Sequence, residues 1–169
     1  MPPTSRRCDA DAPLAIGAAI GYYRHILNGG VSSMSEHISW SDDLLVGVEA
    51  IDSDHKKLFE LMNRLLASPT HGEAAVNQAI GDLSSYTKRH FAAEIASMDR
   101  TAYPERGAHA YEHEHLIFQL ENIIDRLMMS GASSVDSELT RLLKDWLCNH
   151  IMTFDVKYAA FLRESGQTG

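Results

Sequence analysis

Apolar residues recur along this chain at steps of three and four in four separate stretches, the pattern of helices that bury one face. The first helix is expected to start near Ser53, with Asp52 or Ser53 as N-cap and Asp54 in the first turn. Its apolar face is Leu58, Phe59, Met62, Leu65 and Leu66, and His55 lies on that face. It stops before Pro69, and Gly72 marks the loop. The second runs from about Glu73 to Thr101 with the inward stripe Val76, Ile80, Leu83, Thr87, His90, Glu94 and Met98. After a Tyr103-Pro104 turn the third runs from about Arg106 to Ser130, with stripe His109, His113, Leu116, Leu120, Ile124 and Leu127, and Gly131 ends it. The fourth spans about Ser134 to Glu164, with stripe Leu139, Leu143, Trp146, Leu147, His150, Phe154 and Tyr158. Four amphipathic helices joined by short loops predict an all-α fold, an up-down-up-down four-helix bundle over residues 37–163 with a short tail at 164–169.

The chain before the first helix reads differently. His37 to Ile51 is β-branched and short but has no partner strand downstream. It is expected to be an extended N-terminal arm that lays Trp40, Leu44, Val46, Val48 and Ile51 along the bundle. Residues 1–36 hold Pro2, Pro3, Pro13 and Gly29-Gly30 without amphipathic period, and read as a poorly structured extension with at most a short helix around Ala15 to Ile26. Met34 stands where a true start would fit; a native mass that included residues 1–33 would end that reading.

The stripes are broken by polar residues of one kind. His55, His90, Glu94, His109, His113, His150 and Asp155 stand at or beside core positions. His90 with Glu94, and His109 with His113, are four apart and so project from one face. His150 and Asp155 are five apart, about 140° around an α-helix, a poorer fit. In alternating helices the seven positions fall at one end of the bundle, near the starts of the first and third helices and the ends of the second and fourth. Burying two carboxylates and five imidazoles together without a cation is costly. Seven ligands exceed one tetrahedral zinc and suit two ions. If both carboxylates bridge and an oxide or hydroxide bridges as well, eleven of twelve octahedral positions are filled and one stays open for a small ligand. Imidazole and carboxylate together favour iron. An imidazole-rich set also favours the ferrous state and reversible binding. Glu112 and His115 form one Glu-x-x-His, but helical phase turns His115 outward, and His25, His37 and His71 likewise read as surface residues.

Composition narrows the function classes. A net charge of -8 argues against a nucleic-acid binder and against docking on an anionic membrane. No stretch reaches the roughly 18 apolar residues of a membrane span. Cys8 and Cys148 lie far apart, so a reducing cytoplasm is expected, with Cys148 a small buried residue.

The chain resembles the hemerythrin family in its single-domain bacterial form. The resemblance covers about Trp40 to Leu162 and rests on Val46-Gly47-Val48, Ile51-Asp52-x-x-His55-Lys56, Asn63, Tyr86-Thr87-x-x-His90-Phe91-x-x-Glu94, Met98, Tyr103-Pro104, His109-x-x-x-His113 and Trp146-Leu147-x-x-His150-Ile151-x-x-x-Asp155. The five-residue step from His150 to Asp155 belongs to the family pattern. The resemblance implies two iron ions with a bridging oxide or hydroxide, binding O2 reversibly. His109, His113 and His150 would hold one iron, His55 and His90 the other, which keeps the open position; Glu94 and Asp155 would bridge. Trp146, Leu147 and Ile151 match positions that line a dry O2 pocket, which slows autoxidation as a distal pocket does for haem. The chain departs from the family at Ile95, often a second Glu, and at Leu116, often Phe, with Phe118 nearby. Rival functions on the same site are a peroxidase or nitric-oxide-consuming enzyme and an iron buffer.

Overall fold

The computed structural model describes residues 37–130 and 137–167. The expected extension over residues 1–36, the start at Met34, the helix stop at Gly131 and the helix start at Ser134 lie outside the described residues. What is described is helical: α1 (Glu49–Ala67), α2 (Glu73–Thr101), α3 (Arg106–Ser130), α4 (Ser137–His150) and α5 (Val156–Ser165). A π-helical turn, Ile151–Asp155, joins α4 to α5 without a break, so that the two act as one fourth helix.

Cross-helix pairs fix the directions. Asp54 meets His90 while Arg64 meets Asp82, so α1 and α2 run antiparallel. Asp99 meets Arg106 and Lys88 meets Glu121, which reverses α3 again. His113 meets His150 while the Trp146 indole donates to the Leu116 carbonyl at 3.0 Å, and His55 meets Asp155. The result is the up-down-up-down four-helix bundle, all-α, led by an N-terminal arm.

Its core follows the apolar stripes: Leu58, Met62, Leu83, Met98, Leu143 and Tyr158 are essentially inaccessible to solvent. On α3 the stripe runs through Ile123 rather than Ile124, which is only half-buried. Residues 123 and 124 both follow Leu120 at a helical step, and packing against the neighbours decides between them.

The arm is pinned at several points. Ile38 is buried, and its backbone N–H and carbonyl each bond the Asn63 side chain at 2.8 Å. Trp40 packs edge-on against Phe59 at 5.2 Å. A 3-10 turn at Asp42–Leu44 interrupts the extension, capped by the Ser41 hydroxyl, and helix α1 begins at Glu49, ahead of the expected start at Ser53. Asp52 is not the cap. Its carboxylate turns back to accept from the Val46 and Gly47 N–H groups at 2.8 and 3.0 Å, tying the arm to the first turn of α1. Gly47 adopts φ +83°, a left-handed conformation that disfavours a side chain there.

Candidate metal centre

Each site residue is placed by the packing of its helix. On α1, burial of Leu58 and Met62 turns His55, a turn earlier, toward the axis. On α2 the run Leu83, Thr87, His90, Glu94, Met98 is buried throughout. On α3, His109 and His113 continue the line of Leu116 and Leu120. The fourth helix resolves the five-residue step. In an α-helix Asp155 would lie about 140° from His150. The π turn between them repeats its hydrogen bonds at five residues instead of four and brings both side chains to the same side.

All seven predicted positions converge. The most exposed of the seven shows 3% of its surface. The Nε2 atoms of His109 and His113, and of His113 and His150, stand 3.0 Å apart. Asp155 Oδ1 is 3.2 Å from His109 Nε2 and 3.1 Å from His150 Nε2. Its other oxygen, Oδ2, is 3.1 Å from His55 Nε2. Glu94 Oε2 is 3.2 Å from His113 Nε2, 3.7 Å from His109 Nε2 and 3.8 Å from His90 Nε2. Two overlapping donor groups result: Glu94, His109, His113, His150 and Asp155, and His55, His90 and Glu94. Among the described residues no other such group of three or more occurs.

This arrangement fits a pair of metal ions and little else. Both carboxylates, together with His55 Nε2 and His90 Nε2, have no hydrogen-bond partner although fully buried. Buried polar atoms are almost always paired. Imidazole nitrogens facing one another at this range repel unless a proton or cation lies between them. Donors in cis positions round an ion with bonds of about 2.1 Å sit about 3.0 Å apart. That is the spacing of the three-histidine cluster.

The electrostatics are divided in the same way. Burial and the Asp155 charge push Glu94 up, but the imidazoles of His109, His113 and His90 outweigh them and hold it at about 2. Asp155 is held well below the carboxylate range, against its burial, by the charge of His150 and its contacts with His109 and His55. His109 is pushed down by burial yet lifted to about 9 by the two carboxylates. Burial and the neighbouring imidazoles push His113 down to about 4 despite Glu94.

Further residues touch the site, among them Phe154, whose ring stacks on His150 with centroids 5.6 Å apart. Phe91 lies flat on the His113 ring, centroids 3.8 Å apart and planes 5° from parallel. Its position, four after Thr87 and three before Glu94, continues the buried stripe and could have revealed it. Asp54 Oδ2 lies 3.2 Å from His90 Nδ1, and its Oδ1 accepts from the Tyr86 hydroxyl at 2.6 Å. The signal for that pair was weaker, since Asp54 reads as an ordinary first-turn acid. Trp146, Leu147 and Ile151 are buried, with the Trp146 ring 6.3 Å from Phe91. Leu116 is buried, while Phe118 is exposed and takes no part. His37, His71 and His115 are exposed; His25 lies outside the described residues. Cys148 is buried, which pushes its thiol up to about 11. No described helix is long and apolar enough to cross a membrane.

A family profile described as Hemerythrin HHE cation binding domain matches residues 46–162. The chain belongs to the hemerythrin family. It is 36% identical over 121 residues to a bacteriohemerythrin of Stenotrophomonas maltophilia (strain R551-3), covering 71% of this chain and 78% of that one. It is 35% identical over 130 residues to one from Pseudomonas aeruginosa (strain LESB58), covering 76% and 84%. A crystal structure of wild-type hemerythrin superposes with a TM-score of 0.65 at 26% identity, covering 75% of this chain and 98% of that one. As a hemerythrin, the chain carries a non-haem di-iron centre with a bridging oxide or hydroxide that binds O2.

Proposed function

We propose that the seven converging residues are the ligands of this centre, divided unequally between the irons, and that one coordination position is left for O2. His109, His113 and His150 would hold one iron and His55 and His90 the other. Glu94 and Asp155 would bridge, a role supported by the two Asp155 oxygens facing His150 and His55 separately. The observation that carries the reading is the convergence of buried imidazole and carboxylate donors from all four helices, six of whose centre-facing atoms have no hydrogen-bond partner. When bound, the irons supply the electrons that O2 takes up reversibly.

The chain's own residues do the rest. The histidines present neutral nitrogen, the carboxylates spread negative charge over both sites, and Phe91 fixes the plane of His113. Trp146, Leu147 and Ile151 exclude water from the open position, and the indole N–H of Trp146 is tied to the Leu116 carbonyl, so no polar atom of that ring faces the pocket unpaired. We place the protein in the cytoplasm, on the strength of two cysteines far apart in sequence, one of them a buried thiol.

The test is to reconstitute with ferrous iron, add O2 and follow the visible spectrum through cycles of deoxygenation. A charge-transfer band that comes and goes with O2 is expected. Irreversible oxidation with turnover of peroxide or nitric oxide would assign an enzyme instead. Two bound ions with no O2-dependent band would overturn the reading.

A further inference from the structure

Among the five site histidines one is treated differently on its far side. The Nδ1 atoms of His55, His109, His113 and His150 have no hydrogen-bond partner among the described residues. His90 Nδ1 instead faces a carboxylate, Asp54 Oδ2, at 3.2 Å. That carboxylate is held at both ends, because its other oxygen accepts a hydrogen bond from the Tyr86 hydroxyl at 2.6 Å. Tyr86 lies four residues before His90 on α2, so the two clamp Asp54 from one helix face. The Arg89 guanidinium covers the Tyr86 ring at 4.5 Å. Asp54 itself comes from α1, directly before His55. One helix therefore supplies both a site histidine and the anion that orients its counterpart on the next helix.

We propose that Asp54 is a positioning residue for the metal centre, fixing the tautomer and plane of His90 and lending negative charge to one iron of the pair and not the other. This rests on the assignment of His90 as a ligand. A proton kept on Nδ1 by the carboxylate leaves the Nε2 lone pair for the metal, and Nε2 is the atom that faces Glu94. A carboxylate on the far nitrogen raises the basicity of a ligating imidazole, and losing such a partner typically weakens metal affinity 10–100-fold. Among the described residues the three-histidine cluster has no such anion behind it. The iron held by His55 and His90 is accordingly the one stabilised in its oxidised form, so Asp54 sets how readily the open iron gives up an electron. The carboxylate is about a third exposed, at 36%, whereas His90 is buried, so the charge lies at the rim of the site and its field reaches inward through one imidazole.

The experiment is an anaerobic ferrous titration of the full chain as wild type, Asp54→Asn, Asp54→Leu and Tyr86→Phe, with a redox titration of each loaded protein. Glu112→Gln, which alters a surface His–carboxylate pair at 3.9 Å, is the control. In Asp54→Leu one of the two binding steps should weaken about 10–100-fold while the other holds. Asp54→Asn, whose amide oxygen still accepts, should recover part of that loss. Tyr86→Phe should shift the same step by less. The midpoint potential of the affected iron should rise, by about 59 mV for each tenfold of extra loss in the ferric state. Circular dichroism melts check that the variants are folded. Two unchanged steps and an unchanged potential in Asp54→Leu would overturn the proposal, as would equal weakening of both steps. A wild type that fails to take two irons would refute the ligand assignment instead, so the two failures are distinct.

Discussion

Stripping the metal should change the stability of this bundle more than any single substitution. Six buried atoms that face the centre, Nε2 of His55 and of His90 and the carboxylate oxygens of Glu94 and Asp155, have no hydrogen-bond partner. Each such atom costs about 1–3 kcal/mol. Even the lower bound gives about 6 kcal/mol, comparable with the 5–15 kcal/mol that holds a typical domain together. The stripped protein must therefore admit water at the centre or take up protons there, and either loosens the packing between helices. Loading reverses this by linkage: an ion at 1,000 times its dissociation constant adds about 4 kcal/mol, and two add about 8 kcal/mol. At about 2–4 °C per kcal/mol for a domain of this size, loaded protein should melt about 16–32 °C above stripped protein. Calorimetry in chelator against anaerobic ferrous iron measures the difference. Amide exchange should localise it to residues 87–98, 106–116 and 147–158. Melting points within about 4 °C, with equal exchange in those segments, would refute the reasoning.

Other expectations follow from single features. Phe91 is 3% exposed and stacked on His113, so Phe91→Ala should destabilise by about 3–5 kcal/mol and loosen that ring; a urea midpoint lowered by less than about 1 kcal/mol equivalent would contradict it. Deleting the exposed Thr153 should close the π turn into α-helix and leave everything after it on the same face, because five residues across the wide turn sweep about the angle of four in an α-helix. Leu162 and Tyr158 should stay in the core and the Tyr158 hydroxyl should keep its bond to Ser97, so the loss should stay below about 2 kcal/mol; a urea midpoint lowered by more than about 4 kcal/mol equivalent would contradict this account of the turn. Metal-free protein should be most stable near pH 6.5. His109, raised from 6.5 to about 9, stabilises fully below pH 6.5 and loses its contribution as pH rises through 9. His113, lowered from 6.5 to about 4, stabilises above pH 6.5 and loses this as pH falls through 4, and Glu94, lowered from 4.5 to about 2, follows below pH 4.5. The His109 and His113 shifts are each worth on the order of 3 kcal/mol, Glu94 sharing the His109 interaction rather than adding to it, and equal urea stability at pH 6.5 and 9 would remove the His109 part of the argument.

Much of this was legible in the sequence because burial and helical phase speak the same language. The stripe from Val76 to Met98 appears in the structure residue for residue, and its ionisable members, His90 and Glu94, are the ones found at the centre. Legibility failed where a residue had two competing uses. Asp52 suits an N-cap, but a carboxylate can equally bend back to an incoming arm, and here Val46 and Gly47 take it. The His150 to Asp155 step looked wrong because phase was counted at the α-helical angle, and nothing local in Ile151 to Phe154 announces a wider turn. Asp54 and Tyr86 meet across two helices, which no single-helix periodicity can display.

The π turn also bears on construction from first principles. Bundles designed from ideal helices hold one angular increment from end to end, so a ligand pair five apart cannot share a face in them. In this chain a single wide turn resets the count, letting α4 and α5 keep separate buried faces while His150 and Asp155 meet between them. A designer copying only the seven side chains onto straight helices would place six of them and find the last aimed away. The irregular turn would have to be built first, and the ligand sequence written around it.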